Sequence, residues 1–172
     1  VRKSRKGKDI LIVGVGNILL SDEGVGVAVI RELAKENLPP GTKLVDAGCA
    51  FSDVLCGLDD VQKVIVIDAV RGGGAPGTIY KFDAKLLEKK QPFHFCATSL
   101  HQIGLRESLA IAKLSGARIP PITIIGVEPQ NIEPGTELSD TVKKKIPEIV
   151  SLVKSELGKR RSAQQMRGRS SP

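Results

Sequence analysis

Aromatic residues are scarce in this chain of 172 residues: there is no tryptophan, one tyrosine and four phenylalanines. Single-stranded nucleic-acid binding wants aromatic platforms among basic residues, and nothing of that kind is present. Three cysteines, Cys49, Cys56 and Cys96, are too few and too scattered for a disulfide framework, so a reducing cytoplasm is expected. No apolar run approaches the ~20 residues of a membrane span, which predicts a soluble protein with no membrane partner. The basic N-terminus lacks an apolar core and a small-residue cleavage site, so no secretory signal is expected. Composition also excludes collagen and low-complexity disorder. What remains is one domain of ordinary size, 41% hydrophobic and 26% charged.

The net charge of +7 is concentrated at the two ends. Residues 1–8 carry Arg2, Lys3, Arg5, Lys6 and Lys8, and residues 159–172 carry Lys159, Arg160, Arg161, Arg167 and Arg169. Taking +5 for each end from +7 leaves the body near −3. The high isoelectric point therefore describes two solubilising or disordered tails rather than a basic groove, and no nucleic-acid partner is expected. The expected division is a basic arm over 1–8, a single α/β domain over 9–157 and a basic, disordered tail over 158–172.

Ile10 to Val15 is a continuous apolar run with glycines at 14 and 16, the pattern of a strand buried on both faces. Val25, Val29, Ile30 and Leu33 recur at helical spacing, ending near Asn37 and Pro39-Pro40. Lys43 to Ala47 reads as a second strand, Phe51 to Leu58 as a helical turn or two, and Val64 to Val70 as a central β-branched strand. The loop Gly72 to Gly77 is too short for a crossover helix, so the strand Thr78 to Phe82 should run antiparallel to its predecessor. Residues 83–98 read as irregular. Ser99 and Gln102 form a capping-box pattern before a helix bearing Ile103, Leu109, Ala110 and Leu114. Ile122 to Val127 is a last strand. Ser139 caps a closing helix whose stripe is Val142, Ile146, Ile149, Val150, Val153 and Leu157, with Pro147 kinking or restarting it. Alternating strands and helices predict a three-layer α/β/α fold on a mainly parallel sheet.

Gly14-Val15-Gly16 invites a dinucleotide reading, but Leu19 occupies the place of the third glycine, and no Gly-Lys-Ser/Thr phosphate loop follows. Glycines that let a strand turn sharply explain the pattern as well. There is no Gly-x-Ser-x-Gly elbow, no His-Glu-x-x-His helix and no Cys-x-x-Cys pair. Cys96 near His94 is a weak nucleophile-and-base pair, since an irregular segment guarantees no shared face.

Ligands of open α/β sheets bind outside the carboxyl ends of the strands. The polar residues at those ends are Asp22 and Glu23 after the first strand, Asp46 closing the second, Asp68 closing the third and Glu128 after the last, with His101 in the first turn of a helix. An acid ending a buried apolar strand is costly unless paired, which singles out Asp68, although capping a neighbouring loop would explain it equally. Alone, Glu23 suits a helix dipole and His101 a helix start. Together, two carboxylates and an imidazole at one sheet edge make an open O,O,N site for nickel, zinc or another divalent first-row ion.

The same residues resemble a known family. Gly14-Val-Gly-Asn-Ile-Leu-Leu-Ser-Asp-Glu-Gly24-Val-Gly-Val27 is similar to the opening signature of the nickel–iron hydrogenase maturation endopeptidases. Val45-Asp46-Ala-Gly48, Ile67-Asp68-Ala69, Ala75-Pro-Gly-Thr78, Ser99-Leu-His-Gln-Ile-Gly-Leu105 and Ile125-Gly-Val-Glu-Pro129 resemble its later blocks in order. The resemblance spans roughly residues 9–157. It implies a phosphorylase/hydrolase-like α/β/α sandwich on a five-stranded, mostly parallel sheet with one antiparallel strand. It also implies an endopeptidase that removes the C-terminal extension of a hydrogenase large-subunit precursor after nickel insertion. Glu23, Asp68 and His101 match the family's metal-contacting positions, and Asp46 and Asp68 are the candidates for a part in peptide cleavage. Many relatives carry a hydroxyl residue where this chain has Cys49.

In that picture nickel arrives with the substrate, no tightly bound cofactor is expected, and zinc or another divalent ion is an alternative occupant. The precursor is the expected partner, and a monomer is expected. Two competitors stand beside this reading. A non-enzymatic nickel chaperone would hold metal by itself, against which only two histidines, His94 and His101, are available. A nucleotide-binding regulator would use the glycine loop.

Overall fold

In a computed structural model, the structure describes residues 9–58, 60–88, 94–95 and 105–168. Five strands make the main sheet: β1 (Asp9–Val15), β2 (Thr42–Gly48), β3 (Val61–Arg71), β4 (Ile79–Asp83) and β6 (Ile122–Val127), in the order β2-β1-β3-β6-β4. β1 pairs in parallel with β2 and β3, β3 pairs in parallel with β6, and β4 is antiparallel to β6. The two-residue β5 (His94–Phe95) adds antiparallel to the end of β3, opposite Val70 and Arg71. The segment read as irregular thus holds a 3-10 turn (Ala84–Glu88) and this short strand. β4 runs in the expected direction, but its hydrogen-bonded neighbour is β6.

The helices cover both faces. α1 (Val25–Leu33), α4 (Asp140–Lys143) and α5 (Ile146–Gly168) pack on one, where Ile10, Ile12, Ile65, Ile67 and Ile125 meet Val29, Leu33, Val142, Ile149 and Val153. α2 (Phe51–Leu55) and α3 (Leu105–Leu114) lie on the other, with Leu11, Val13, Val64, Val66 and Ile124 against Phe51, Leu55, Leu105 and Leu109. Each strand therefore alternates between two cores, which is why β1, β3 and β6 read as unbroken apolar runs. Each fully buried aliphatic side chain contributes roughly 1.5–3 kcal/mol, so these three strands dominate the stabilisation.

Ser139 caps α4, its hydroxyl accepting from the Val142 N–H at 3.3 Å. The helix then breaks at 144–145 and restarts at Ile146, with Pro147 in its first turn, where a missing N–H costs nothing. α5 continues beyond residue 157 to Gly168, so the segment set apart as a tail begins as helix. On α3, Leu109 is buried whereas Leu114 is exposed. The capping-box residues Ser99 and Gln102, together with Ile103, lie outside the described residues. Among the described residues no helix is long and apolar enough to cross a membrane.

Candidate active site

The site is built by glycines first. After β1 the chain turns at Gly16, whose φ is +135°, and a Cβ there would strike the Glu23 carbonyl. A Cβ on Gly26 would strike the carbonyls of Val15 and Ile67, and one on Gly14 that of Gly26. Side chains are excluded because the start of α1 lies directly on the ends of β1 and β3. The glycine pattern thus serves close backbone approach, and it presses the 3-10 turn Ser21–Gly24 against the carboxyl rim of the sheet.

Asp22 fastens that turn from below. It is completely buried. One carboxylate oxygen accepts from the N–H groups of Gln130 (2.8 Å) and Asn131 (2.9 Å) and from the Ser139 hydroxyl (2.9 Å). The other accepts from the Ser139 N–H at 2.7 Å. A buried carboxylate with this many donors is compensated by backbone dipoles. It ties the turn to the connection between β6 and α4.

Glu23, next in sequence, is buried as well, and so is Asp68 at the end of the apolar part of β3. Asp68 accepts from the Ala69 N–H at 2.8 Å. Burial pushes its carboxyl up to about 8; the Ala69 N–H opposes that rise and the nearby Glu23 carboxylate adds to it. Two acids are therefore brought together in a desolvated place where Glu23 disfavours ionisation of Asp68. That is a functional-site signature with a physical cause.

Asp46 stands at the same rim but on the other side of the sheet. It lies level with Ile67 across Gly14, so the pleat sends Asp46 towards the α1 face and Asp68 towards the α3 face. Asp46 is exposed, and its carboxylate accepts from the Gly48 N–H at 3.0 Å. The exposed thiol of Cys49 lies 3.9 Å from the Gly16 carbonyl. His101 and Cys96 fall outside the described residues. Among the described residues no group of three histidine, cysteine or acidic side chains is placed to hold a metal ion.

Glu128 proves to be a clamp. Nearly fully buried, it accepts from the Gly72 N–H (2.7 Å), the Gly74 N–H (3.4 Å) and the Tyr80 hydroxyl (2.7 Å). Its backbone exchanges bonds with Gly77 and Thr78. Sequence reading placed Glu128 at a strand end without this role and passed over Tyr80 and Gly26. The only signal for Tyr80 was a lone tyrosine in a short strand after a glycine-rich loop.

Ligands of open α/β sheets bind outside the carboxyl ends of the strands, and the buried Glu23 and Asp68 lie at that rim. A family model, HycI, hydrogenase maturation protease, matches residues 27–156. A putative hydrogenase maturation protease of Methanocaldococcus jannaschii is 35% identical over 158 residues, 90% of this chain and 99% of that protein. The hydrogenase 2 maturation protease of Escherichia coli is 34% identical over 137 residues, 78% and 81% of the two chains. Among solved structures, the hydrogenase maturating endopeptidase HybD from E. coli superposes with a TM-score of 0.74 at 30% identity, covering 88% of this chain and 93% of its own. The chain belongs to the hydrogenase maturation protease family and is an endopeptidase.

Proposed function

We propose that this endopeptidase removes the C-terminal extension of a nickel–iron hydrogenase large-subunit precursor once nickel is in place, and that it recognises the substrate-borne nickel through Glu23, Asp68 and His101. The observation that carries the reading is that the buried acids Glu23 and Asp68 stand together at the carboxyl rim of the sheet, where burial and the nearby Glu23 both raise the Asp68 carboxyl. A divalent cation brought by the substrate favours the ionised form of the Asp68 carboxyl, and carboxylate oxygens with one imidazole suit a first-row ion. Family membership supports a hydrogenase large subunit as the partner.

In this reading the acids act as a checkpoint. A precursor without its metal offers the pair no cation, so binding energy is withheld and the unloaded protein is spared. Glu23 and Asp68 orient the loaded precursor, which fixes the scissile peptide at the rim. Asp46 and Asp68 are the candidates for a part in peptide cleavage: Asp46 is exposed at the rim, on the other side of the sheet from the buried Asp68. The enzyme acts as a monomer in the cytoplasm and needs no resident metal.

The test mixes the purified, metal-analysed protein with nickel-loaded precursor and with the same precursor lacking nickel, and follows loss of the extension by mass spectrometry. Cleavage of the loaded form alone, by a protein that begins metal-free, is the expected result. Cleavage of neither, with nickel tightly bound to this protein, would overturn the reading in favour of a metal chaperone. His101→Ala is expected to stay folded and leave loaded precursor uncut; full activity in that variant removes His101 from the site.

A further inference from the structure

Four large apolar side chains stand exposed among the described residues: Ile18 (44%), Leu19 (61%), Ile111 and Leu114. A scattered exposed leucine is ordinary on any surface. Ile18 and Leu19 are adjacent, and they occupy the connection that leads from β1 into the turn bearing Glu23.

That connection is fastened along its length. The Leu19 N–H donates to the Asn17 side-chain oxygen at 3.0 Å and the Leu20 N–H to the Asn17 carbonyl at 3.1 Å. The Leu19 carbonyl accepts from the Gly135 N–H at 2.9 Å, and the Ser21 N–H donates to the Gly135 carbonyl at 2.8 Å. Ser21 is held at φ +49° while its hydroxyl donates to the Glu133 carbonyl at 2.9 Å. An unfavourable φ persists only where the surroundings over-determine it. Ile18 also sits against the acid turn, since a Cβ on Gly24 would lie 3.1 Å from the Ile18 Cα. Much of the backbone's hydrogen-bonding capacity here is spent internally, and two aliphatic side chains are what the loop presents outward. Because the loop is already ordered, contact with it costs little further entropy.

We infer that Ile18 and Leu19 form an apolar ledge that docks a hydrophobic stretch of the protein substrate beside the acid pair. The inference rests on the reading that Glu23 and Asp68 meet that substrate. Continuity argues for the substrate as the occupant: only three residues lie between Leu19 and Glu23, and Ile18 lies against Gly24, so the ledge adjoins the acid turn. Against a second copy as the occupant, two side chains supply only a small part of the ~1,200 Å² that a stable dimer buries.

The experiment compares wild type, Leu19→Ser, the Ile18→Ser/Leu19→Ser double variant and, as a remote control, Leu114→Ser on α3. Melting temperature, sedimentation and the kinetics of extension release from nickel-loaded precursor are measured. The expected result is unchanged melting and sedimentation, with KM raised about tenfold in the double variant at constant kcat, the loss from one leucine-sized contact. Leu19→Met should restore KM, and Leu114→Ser should match wild type. A wild type that processes precursor alongside a double variant of equal KM overturns the ledge and leaves the proposed function standing. A wild type that processes no precursor overturns the proposed function, and the ledge with it. Wild-type dimers dissociated by the serine variants would assign the surface to self-association and overturn the ledge as well.

Discussion

Two carboxylates at opposite ends of β3 are equally buried and oppositely treated. Glu156, on α5 near the amino end of the strand, is 6% exposed and is met by the Lys63 ammonium at 2.6 Å and the Lys81 ammonium at 3.0 Å. Asp68, at the carboxyl end, is also 6% exposed, and it faces one backbone N–H and a second acid. Burial alone therefore does not mark a functional residue. The distinguishing quantity is compensation: the fold supplies its own cations to Glu156, whereas beside Asp68 it brings a like charge, and on the proposed reading that acid meets the substrate. Asp22 is a third solution, compensated by backbone and hydroxyl donors.

The largest effect should come from Asp68→Asn. Processing of loaded precursor is expected to fall at least about a hundredfold, as on loss of a group aimed at the reacting centre, while the metal-free protein becomes more stable. The sign follows from the raised carboxyl: held near 8 in the folded state against 3.8 for an ordinary aspartate, it binds its proton more tightly when folded. Wild-type stability therefore falls as pH rises from about 4 to about 8, by up to about 1.4 kcal/mol per pH unit, and asparagine removes this dependence. Melting curves at pH 5 and pH 8 check it, with the gap in favour of the variant widening at pH 8. A variant that melts below wild type at both values would dissolve the contrast with Glu156.

Glu156→Ala should do the reverse. Its loss strands two lysines at the base of the sheet and is expected to cost about 3 kcal/mol, at the low end for a broken buried pair because Lys81 is 40% exposed. Activity per folded molecule should not change, which denaturant melts combined with the processing rate would establish. Asp22→Asn is the smallest of the three, about 2 kcal/mol. Both oxygens of Asp22 accept from N–H groups, so an amide must turn its own N–H towards a donor. Here stability and processing should fall together, because the Glu23 turn hangs on the same carboxylate.

What could be read from sequence follows the same division between local and distant causes. β1, β3 and β6 were legible because strands covered on both faces need continuous apolar runs. The Ser139 cap and the restart at Pro147 were legible because their partners are a few residues away. Glu23 and Asp68 were singled out by the rule that ligands gather at carboxyl ends of strands, and the structure buries both there, near each other. The partners of Asp22 lie 108 to 117 residues along the chain, and no local pattern announces them. The short loop set the direction of β4, whereas its pairing with β6 depends on a strand some forty positions later. Two residues of β5 carry no periodicity at all.

The Asp22 tie also has a consequence in time. During synthesis the turn bearing Glu23 emerges early, yet Gln130, Asn131 and Ser139, which seat its neighbour, are made more than a hundred residues later. A nascent chain halted before β6 lacks every one of those donors. The turn bearing Glu23 therefore cannot be seated on the sheet rim until residues 130–139 have been made.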